Sequence, residues 1–457
     1  MYHRKPYMNS PTQPGPSPCR PLHRSPWKKG ILALLLAALA WLIYAQVRLP
    51  SIYNGGDNLW TVPTALNVAR HGRYDLEPYR EAITRQPAEN VWINNLDLDP
   101  RVVTTNGRPL IFHPAGVVFA VLPMVTAYTL WHPPEADPLA EAIALTPRLA
   151  HLVAALSVGL LFLLLLEVGA SWKQSFVLAL VFALATPHFV THADGLWAHN
   201  LFLPFLLGML LLVVAQEGRW AGYAGLPAGV GFLIRPDSLG LIACVGVYIL
   251  LLRRQHLALF VGSGLCVAFA FVGWSQHIYA NWLPPYFIGK KEVAMIALAN
   301  LPAGLVGHLF SPNRGIALFA PILFLGMAGA VIVWKRSDPQ TRFFQMISAM
   351  MLLHFLFISS FRSWWAGFAY GPRYFCAILP LYILQLLPLW NGLAGSSRVR
   401  RNTVYILAFT ASLWGLFVNL RGITDPCVHQ WNATPLNVDT HPERLWDWSD
   451  LQIFRRE

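Results

Sequence analysis

A single aspartate follows the first apolar stretch of this chain and is preceded by two glycines. The string is Tyr53-Asn54-Gly55-Gly56-Asp57, and paired glycines allow a tight turn that would hold the carboxylate close to the end of the apolar stretch. A carboxylate in that position could bind a divalent cation or act as a general base toward a hydroxyl group. The competing interpretation is a turn that also caps a helix.

A second aspartate, Asp194, stands in a short turn between two apolar stretches, with His192 before it and His199 after it. An acidic residue so close to apolar sequence is costly unless it is paired, hydrated or functional. The alternative is a solvated carboxylate beside interfacial histidines. Two histidines and one aspartate make an incomplete ligand set for zinc.

Basic residues interrupt the apolar sequence at further points. Arg235, in Arg235-Pro236-Asp237, could neutralise a phosphate, pair with a carboxylate such as Asp194, or form a structural pair with Asp237. Lys290 and Arg314 suit a lipid-linked phosphate, although anchoring to lipid headgroups would need the same residues.

Arg373 lies in the most aromatic of these polar segments, which also contains Trp364, Trp365 and Tyr370. Aromatic rings of this kind can stack on the faces of sugars. They are also ordinary anchors at a membrane interface, so both interpretations stay open.

The composition places these residues in a membrane protein. Of the 457 residues, 55% are hydrophobic and 12% are charged, and the mean hydropathy is +0.45. These values describe one membrane domain rather than several globular ones. The net charge of +12 follows the positive-inside rule in short basic loops, so it does not indicate a nucleic-acid partner.

About eleven apolar stretches are long enough to cross a bilayer, which predicts an all-α polytopic fold. They are residues 30–47, 149–168, 175–191, 197–215, 220–234, 237–252, 257–279, 315–334, 343–360, 374–390 and 403–420.

A twelfth stretch, Ile111 to Trp131, is apolar but contains Pro114 and Pro123. If it crossed the membrane, the later basic loops would face the side opposite to the basic N-terminus. We therefore predict that it is a juxtamembrane or re-entrant segment on the outer face.

This topology divides the chain into three parts. Residues 1–29 form a basic, disordered cytoplasmic tail, residues 30–420 form the transmembrane domain with a long outer loop at 48–148, and residues 421–457 form an outer tail expected to pack against that loop. Of the 22 carboxylates, all but Glu167, Glu217 and Asp338 then fall on the outer side. The charge distribution points to a site on the outer face.

The arrangement resembles the GT-C superfamily of membrane glycosyltransferases. The likeness rests on an acidic residue just after the first span, a long first outer loop with juxtamembrane helices, a second acidic residue in the next outer turn and basic outer residues later. Three strings are similar to those of bacterial members of the superfamily: Ser311-Pro312-Asn313-Arg314-Gly315, Tyr370-Gly371-Pro372-Arg373-Tyr374 and Arg444-Leu445-Trp446-Asp447-Trp448.

The resemblance implies transfer of a sugar, with inversion, from a polyprenyl-phosphate donor to a glycan, lipid or protein acceptor. The site would face outward from an inner (plasma) membrane whose lipids surround the protein, with the N-terminus in the cytoplasm. Asp57 would be the base or a metal ligand, and Asp194 the second acidic catalytic residue and the other candidate metal ligand. Relatives carry acidic pairs where this chain has single aspartates, so a divalent metal is an optional ligand. The predicted donor-binding residues are Arg235, Lys290, Arg314, Arg373, His113 and His199.

A transporter or flippase of lipid-linked glycans is the alternative, because it would use the same basic surface to hold a phosphate without cleaving it. Charges at mid-membrane and broken helices in repeated positions would favour transport. Here the ionisable residues gather at one face, which favours surface chemistry.

Overall fold

The protein is an all-α polytopic membrane protein with one small β-hairpin in its described part. The computed structural model describes residues 26–46, 59–85, 101–192, 195–288, 296–336 and 339–456. The helices of eight or more residues are α1 (Pro26–Ala45), α2 (Thr61–His71), α4 (Gly116–Thr129), α5 (Pro138–Glu167), α6 (Trp172–Leu184), α7 (Ala198–Val214), α8 (Gly225–Ile234), α9 (Leu239–Leu252), α10 (Leu257–Tyr279), α12 (Leu301–Phe310), α14 (Ile322–Val333), α15 (Pro339–Ser359), α16 (Leu379–Gly392) and α17 (Arg398–Thr424).

Shorter elements connect them. The short α-helices are α3 (Arg80–Arg85), α11 (Pro285–Ile288), α13 (Ile316–Phe319) and α18 (Cys427–Gln430), and the strands are β1 (Val102–Thr105) and β2 (Arg108–Ile111). The strands pair antiparallel, Val102 opposite Ile111, across a turn in which Asn106 and Gly107 both have positive φ. That geometry suits the right-handed twist of a two-residue hairpin.

Each of the eleven predicted spans falls on helical sequence. Within the described ranges, seven helices are long and apolar enough to cross a membrane, and shorter apolar helices account for the remaining spans. The largest difference is at α5, which begins at Pro138, well before the predicted start at residue 149. Asp137 caps this helix by accepting bonds from the amides of Leu139 and Ala140, a signal that hydropathy does not register.

An ion pair shows that the start of α1 and the end of α5 lie on the same side of the bundle. Lys29 Nζ is 2.7 Å from Glu167 Oε1. Had the stretch Ile111–Trp131 crossed the membrane, these two residues would lie on opposite sides. The pair therefore agrees with the prediction that this stretch does not cross the membrane.

The stretch itself is divided between two elements. Ile111 ends β2, and α4 contains only 14 residues, about 21 Å at the rise of an α-helix. That is less than the roughly 30 Å of a hydrocarbon core. Its N-terminus packs so closely against the end of α8 that a Cβ on Gly116 would lie 2.2 Å from the carbonyl carbon of Leu233.

The first outer loop is tied to α5 by a bidentate ion pair. Arg70, near the end of α2, places Nη1 and Nη2 at 2.6 and 2.7 Å from the two carboxylate oxygens of Glu141. Glu141 is buried at the start of α5, and a planar guanidinium matches a carboxylate well in this geometry. The pair fixes α2 beside the first turn of α5.

Candidate functional site

A cleft opens between the loop before α16, the segment before α7 and the C-terminal tail. It is small, with a cavity volume of about 20 Å³, and its lining comprises Val190, Thr191, Trp197, Phe368, Ala369, Tyr370, Arg373 and His429. By the predicted topology, all three segments belong to the outer face. The lining is mostly apolar and aromatic, with a few polar groups, as in small-molecule sites generally.

Arg373 and Trp197 form the main polar contact in this cleft. The guanidinium carbon of Arg373 lies 4.7 Å from the centroid of the Trp197 ring. A guanidinium stacked on an indole face has its fork of N–H donors along its edge. An aromatic ring and a fixed cation side by side suit a ligand that contains both a sugar and a phosphate.

Local backbone features place these two residues. A π-helix spans His188–His192, directly before the turn that leads to Trp197, and such wider turns recur at functional sites. On the other wall, Gly371 has φ +67°, and a Cβ there would lie 2.4 Å from Phe319 Cδ1. Only glycine fits that position, and the chain then enters a 3-10 helix that begins at Arg373.

The third wall comes from the tail. His429, in α18, is buried, and its Nε2 lies 2.6 Å from the carbonyl oxygen of Gly422. A carbonyl can only accept, so Nε2 carries the ring proton. Burial lowers the pKa of His429 to about 4, so this wall is neutral at pH 7.

The tail is held in place by the string Ser311-Pro312-Asn313-Arg314. Ser311 Oγ donates to the Leu445 carbonyl at 2.7 Å, and Asn313 Nδ2 donates to the Arg444 carbonyl at 2.9 Å. These bonds join the string at 311–315 to the string at 444–448. The predicted contact of the tail with the first outer loop stays a prediction.

Trp431 is the centre of a small second core beneath the cleft. Its ring is fully buried, with the guanidinium carbons of Arg444 and Arg314 at 4.2 and 5.5 Å from its centroid. Trp364, Val438 and Leu445 complete this core. The core explains how a tail of fewer than 40 residues keeps a defined conformation.

Arg314 needs a correction. It is 1% exposed, and its guanidinium donates to the carbonyls of Trp365 and Gly367 and to side-chain oxygens of Gln452 and Asn432 at 2.6 to 3.1 Å. These bonds use its N–H groups inside the protein. The geometry gives Arg314 a structural position under the loop rather than the predicted contact with a donor phosphate.

Arg235 forms the structural pair that was the competing interpretation. Its Nε donates to Asp237 Oδ1 at 2.9 Å, and its Nη2 donates to Oδ2. Arg235 is 7% exposed, yet its Nη1 has no hydrogen-bond partner among the described residues. The ion pair with Asp237 therefore leaves the Nη1 amino group of this buried cation without an acceptor among the described residues.

Two tyrosines connect the remaining predicted residues with this pair. Tyr374, next to Arg373 in the chain, interacts electrostatically with Arg235 and stacks edge-on against His199 at 6.3 Å. Tyr286 likewise interacts with Arg235 and lies 6.5 Å from the ring of His113. His199 is 8% exposed, and its Nδ1 has no partner among the described residues. Four of the predicted donor-binding residues thus belong to one region, namely His113, His199, Arg235 and Arg373.

The other predicted residues, Asp57, Asp194 and Lys290, lie outside the described residues, so their roles stay predictions. In the part of the chain that the structure describes, no three histidine, cysteine, aspartate or glutamate side chains lie close enough together to hold a metal ion.

Trp197, His429 and Gln452 were not among the sequence candidates. Trp197 was visible as an aromatic residue beside a charged turn. His429 and Gln452 carry no such signal, because their importance depends on how the tail folds back onto distant loops.

Comparison with known proteins did not identify a family for this chain. No protein-family model matches this chain, and no curated protein matches it significantly.

Proposed function

We propose that this protein is a membrane glycosyltransferase that moves a sugar from a polyprenyl-phosphate donor to an acceptor on the outer face of the plasma membrane. The observation that carries the proposal is the guanidinium of Arg373 over the Trp197 ring in an aromatic cleft. A lipid-linked sugar presents a phosphate and a ring of C–H bonds side by side. A fixed cation beside aromatic faces complements both parts.

Buried polar atoms near the cleft support the same proposal. Arg235 Nη1 and His199 Nδ1 are buried without partners in the described structure, and both residues lie around Tyr374. A buried polar group without a partner costs free energy. Phosphate oxygens that reached Arg235 Nη1 would remove that cost, so substrate binding would complete the site.

In the proposed transfer reaction, a cation and a base would have separate tasks. The bond between the anomeric carbon and the phosphate oxygen breaks, the phosphate keeps the electron pair, and cations such as Arg373 would stabilise the charge that develops. The acceptor hydroxyl attacks the opposite face of the sugar and loses a proton to a base. Asp57 remains the predicted base and Asp194 the predicted second acidic residue, on sequence grounds alone.

The proposed orientation places the N-terminus in the cytoplasm and the cleft outside. It is supported by the distribution of charge along the chain. It is also supported by the contact of Lys29 with Glu167, because both residues belong to the predicted cytoplasmic side.

The test is transfer by the purified protein in nanodiscs. The wild type and the Asp57→Asn and Arg373→Gln variants would be supplied with radiolabelled polyprenyl-phosphate sugars and a membrane extract as acceptor. We expect label to leave the lipid with wild-type protein, not with Asp57→Asn, and about 10- to 100-fold less efficiently with Arg373→Gln. Label that stays on the lipid but crosses the bilayer would overturn the proposal in favour of a flippase.

A further inference from the structure

Three alternate carbonyl groups of the loop before α16 are held from beneath by two side chains. Arg314 Nε donates to the Trp365 carbonyl at 3.0 Å and Arg314 Nη2 to the Gly367 carbonyl at 3.1 Å. Gln452 Nε2 donates to the Ala369 carbonyl at 3.0 Å. The backbone of this loop is therefore fixed at every second residue from 365 to 369.

The same loop contains backbone geometry that needs such support. Ala366 and Gly367 both have φ +64°, and a left-handed conformation is unfavourable for alanine. Conformations of this kind persist only where the surrounding structure determines them. The hydrogen bonds from Arg314 and Gln452 supply that determination.

Gln452 also reaches the opposite wall of the cleft. Its Nε2 donates to the Val428 carbonyl at 2.9 Å, and Val428 precedes His429, which lines the cleft together with Ala369. One amide nitrogen therefore connects the wall that leads to Arg373 with the wall formed by the tail.

The position of Gln452 is itself determined. Its Oε1 accepts from Arg314 Nη1 at 2.7 Å, and its backbone N–H donates to Asn313 Oδ1 at 2.7 Å. The side chain is fully buried. An amide that both accepts from Arg314 and donates to two carbonyls cannot be replaced by an apolar or a purely accepting group without loss of bonds.

We infer that Gln452 is a positioning residue that holds the two walls of the cleft at a fixed separation and so orients Arg373 toward an anionic ligand. The identity of that ligand as a lipid phosphate rests on the proposed function, whereas the connection between the walls does not.

Two variants of Gln452 separate its bonds. Gln452→Leu removes the bonds to Arg314, Ala369 and Val428, whereas Gln452→Glu keeps an acceptor for Arg314 and removes only the donors to the walls. Arg456→Gln is the control, because Arg456 is an exposed side chain of the same tail.

Hydrogen–deuterium exchange of the full-length protein in nanodiscs tests the connection without any substrate. We expect both Gln452 variants to raise exchange at least about tenfold in peptides covering 365–373 and 427–431, since buried carbonyls lose their donors. Peptides from 150–165 should be unchanged, and Arg456→Gln should behave as wild type at the walls. Unchanged walls in Gln452→Leu, or exchange raised equally throughout, would overturn the inference.

Titration with a polyprenyl phosphate that carries no sugar, followed by tryptophan fluorescence, tests the consequence for binding. We expect Gln452→Glu to raise Kd about tenfold, and in the transfer reaction to raise KM more than it lowers kcat. If Kd were unchanged while the walls exchanged faster, the claimed orientation of Arg373 would be wrong. If wild-type protein bound no lipid phosphate, the proposed function would fail, and the exchange experiment would still decide the role of Gln452.

Discussion

Arg373 stacks on Trp197 with 4.7 Å between the guanidinium carbon and the ring centroid, although 176 positions separate them in the chain. The contact joins the segment before α7 to the loop before α16. Each residue restricts the other, because a guanidinium held against an indole face loses the mobility of a long surface side chain.

Replacement of Arg373 should impair substrate binding and transfer. We expect Arg373→Gln to lower kcat/KM about 10- to 100-fold, since a charged hydrogen bond to phosphate is lost. Steady-state transfer assays would measure this. Arg362→Gln is the control, because Arg362 is exposed on the same loop and does not line the cleft. Equal losses in both variants would show that Arg373 has no special role.

Gly371→Ala should destabilise the loop that carries Arg373. The left-handed backbone and the approach to Phe319 together should cost about 2 to 4 kcal/mol. We expect a lower midpoint of thermal unfolding, measured at a fixed scan rate in detergent.

Gly395→Ala provides the comparison for that variant. Gly395 is exposed, and an added Cβ there would meet no atom within 4 Å. This variant should unfold at the wild-type temperature. A Gly371→Ala protein as stable as Gly395→Ala would contradict the geometry of the loop.

His429 should make the stability of the tail depend on pH. The folded protein lowers the pKa of His429 to about 4, whereas an exposed histidine titrates near 6.5. The unfolded chain therefore takes up this proton first, so the stabilisation is complete above about pH 6.5 and is lost as the pH falls toward 4. The loss is at most about 3 kcal/mol.

Thermal unfolding of wild-type protein and His429→Gln across this pH range would measure the effect. The glutamine does not titrate, so the difference between the two proteins should change between pH 6.5 and 4 and be constant above pH 7. A constant difference throughout would contradict a buried neutral imidazole.

Cysteine labelling tests the proposed orientation. Ala136→Cys and Thr440→Cys change two exposed positions, one before α5 and one in the tail. A membrane-impermeant maleimide added to intact cells should label both, as determined by mass spectrometry of the two peptides. Labelling of only one position would mean that the chain crosses the membrane an odd number of times between them.

The membrane helices were predictable because a span needs a long apolar run, and each run produced helical structure. Their ends were less predictable. Asp137 and the first turns of α5 are polar enough to resemble loop sequence, and the pairing of Glu141 with Arg70 offsets the cost of its burial there. The β-hairpin was missed because its strands have four residues each.

The candidate site was predictable only in part. Arg373 was identified because a basic residue among aromatic residues at a membrane face has few uses. Arg314 looked the same in sequence, yet its acceptors include Asn432 and Gln452, more than 100 residues away in the chain. Local patterns cannot separate a cation beside an aromatic cleft from one that faces distant carbonyls.

Several helices are much shorter than a bilayer is thick. Helices α6, α9 and α14 have 13, 14 and 12 residues, about 18 to 21 Å, whereas α5 and α17 have 30 and 27. Such hydrophobic mismatch thins the surrounding lipid locally and draws headgroups inward. The turn at Arg235 lies between α8 and α9. The thickness of the host membrane should therefore tune how deeply a lipid phosphate can descend toward the protein.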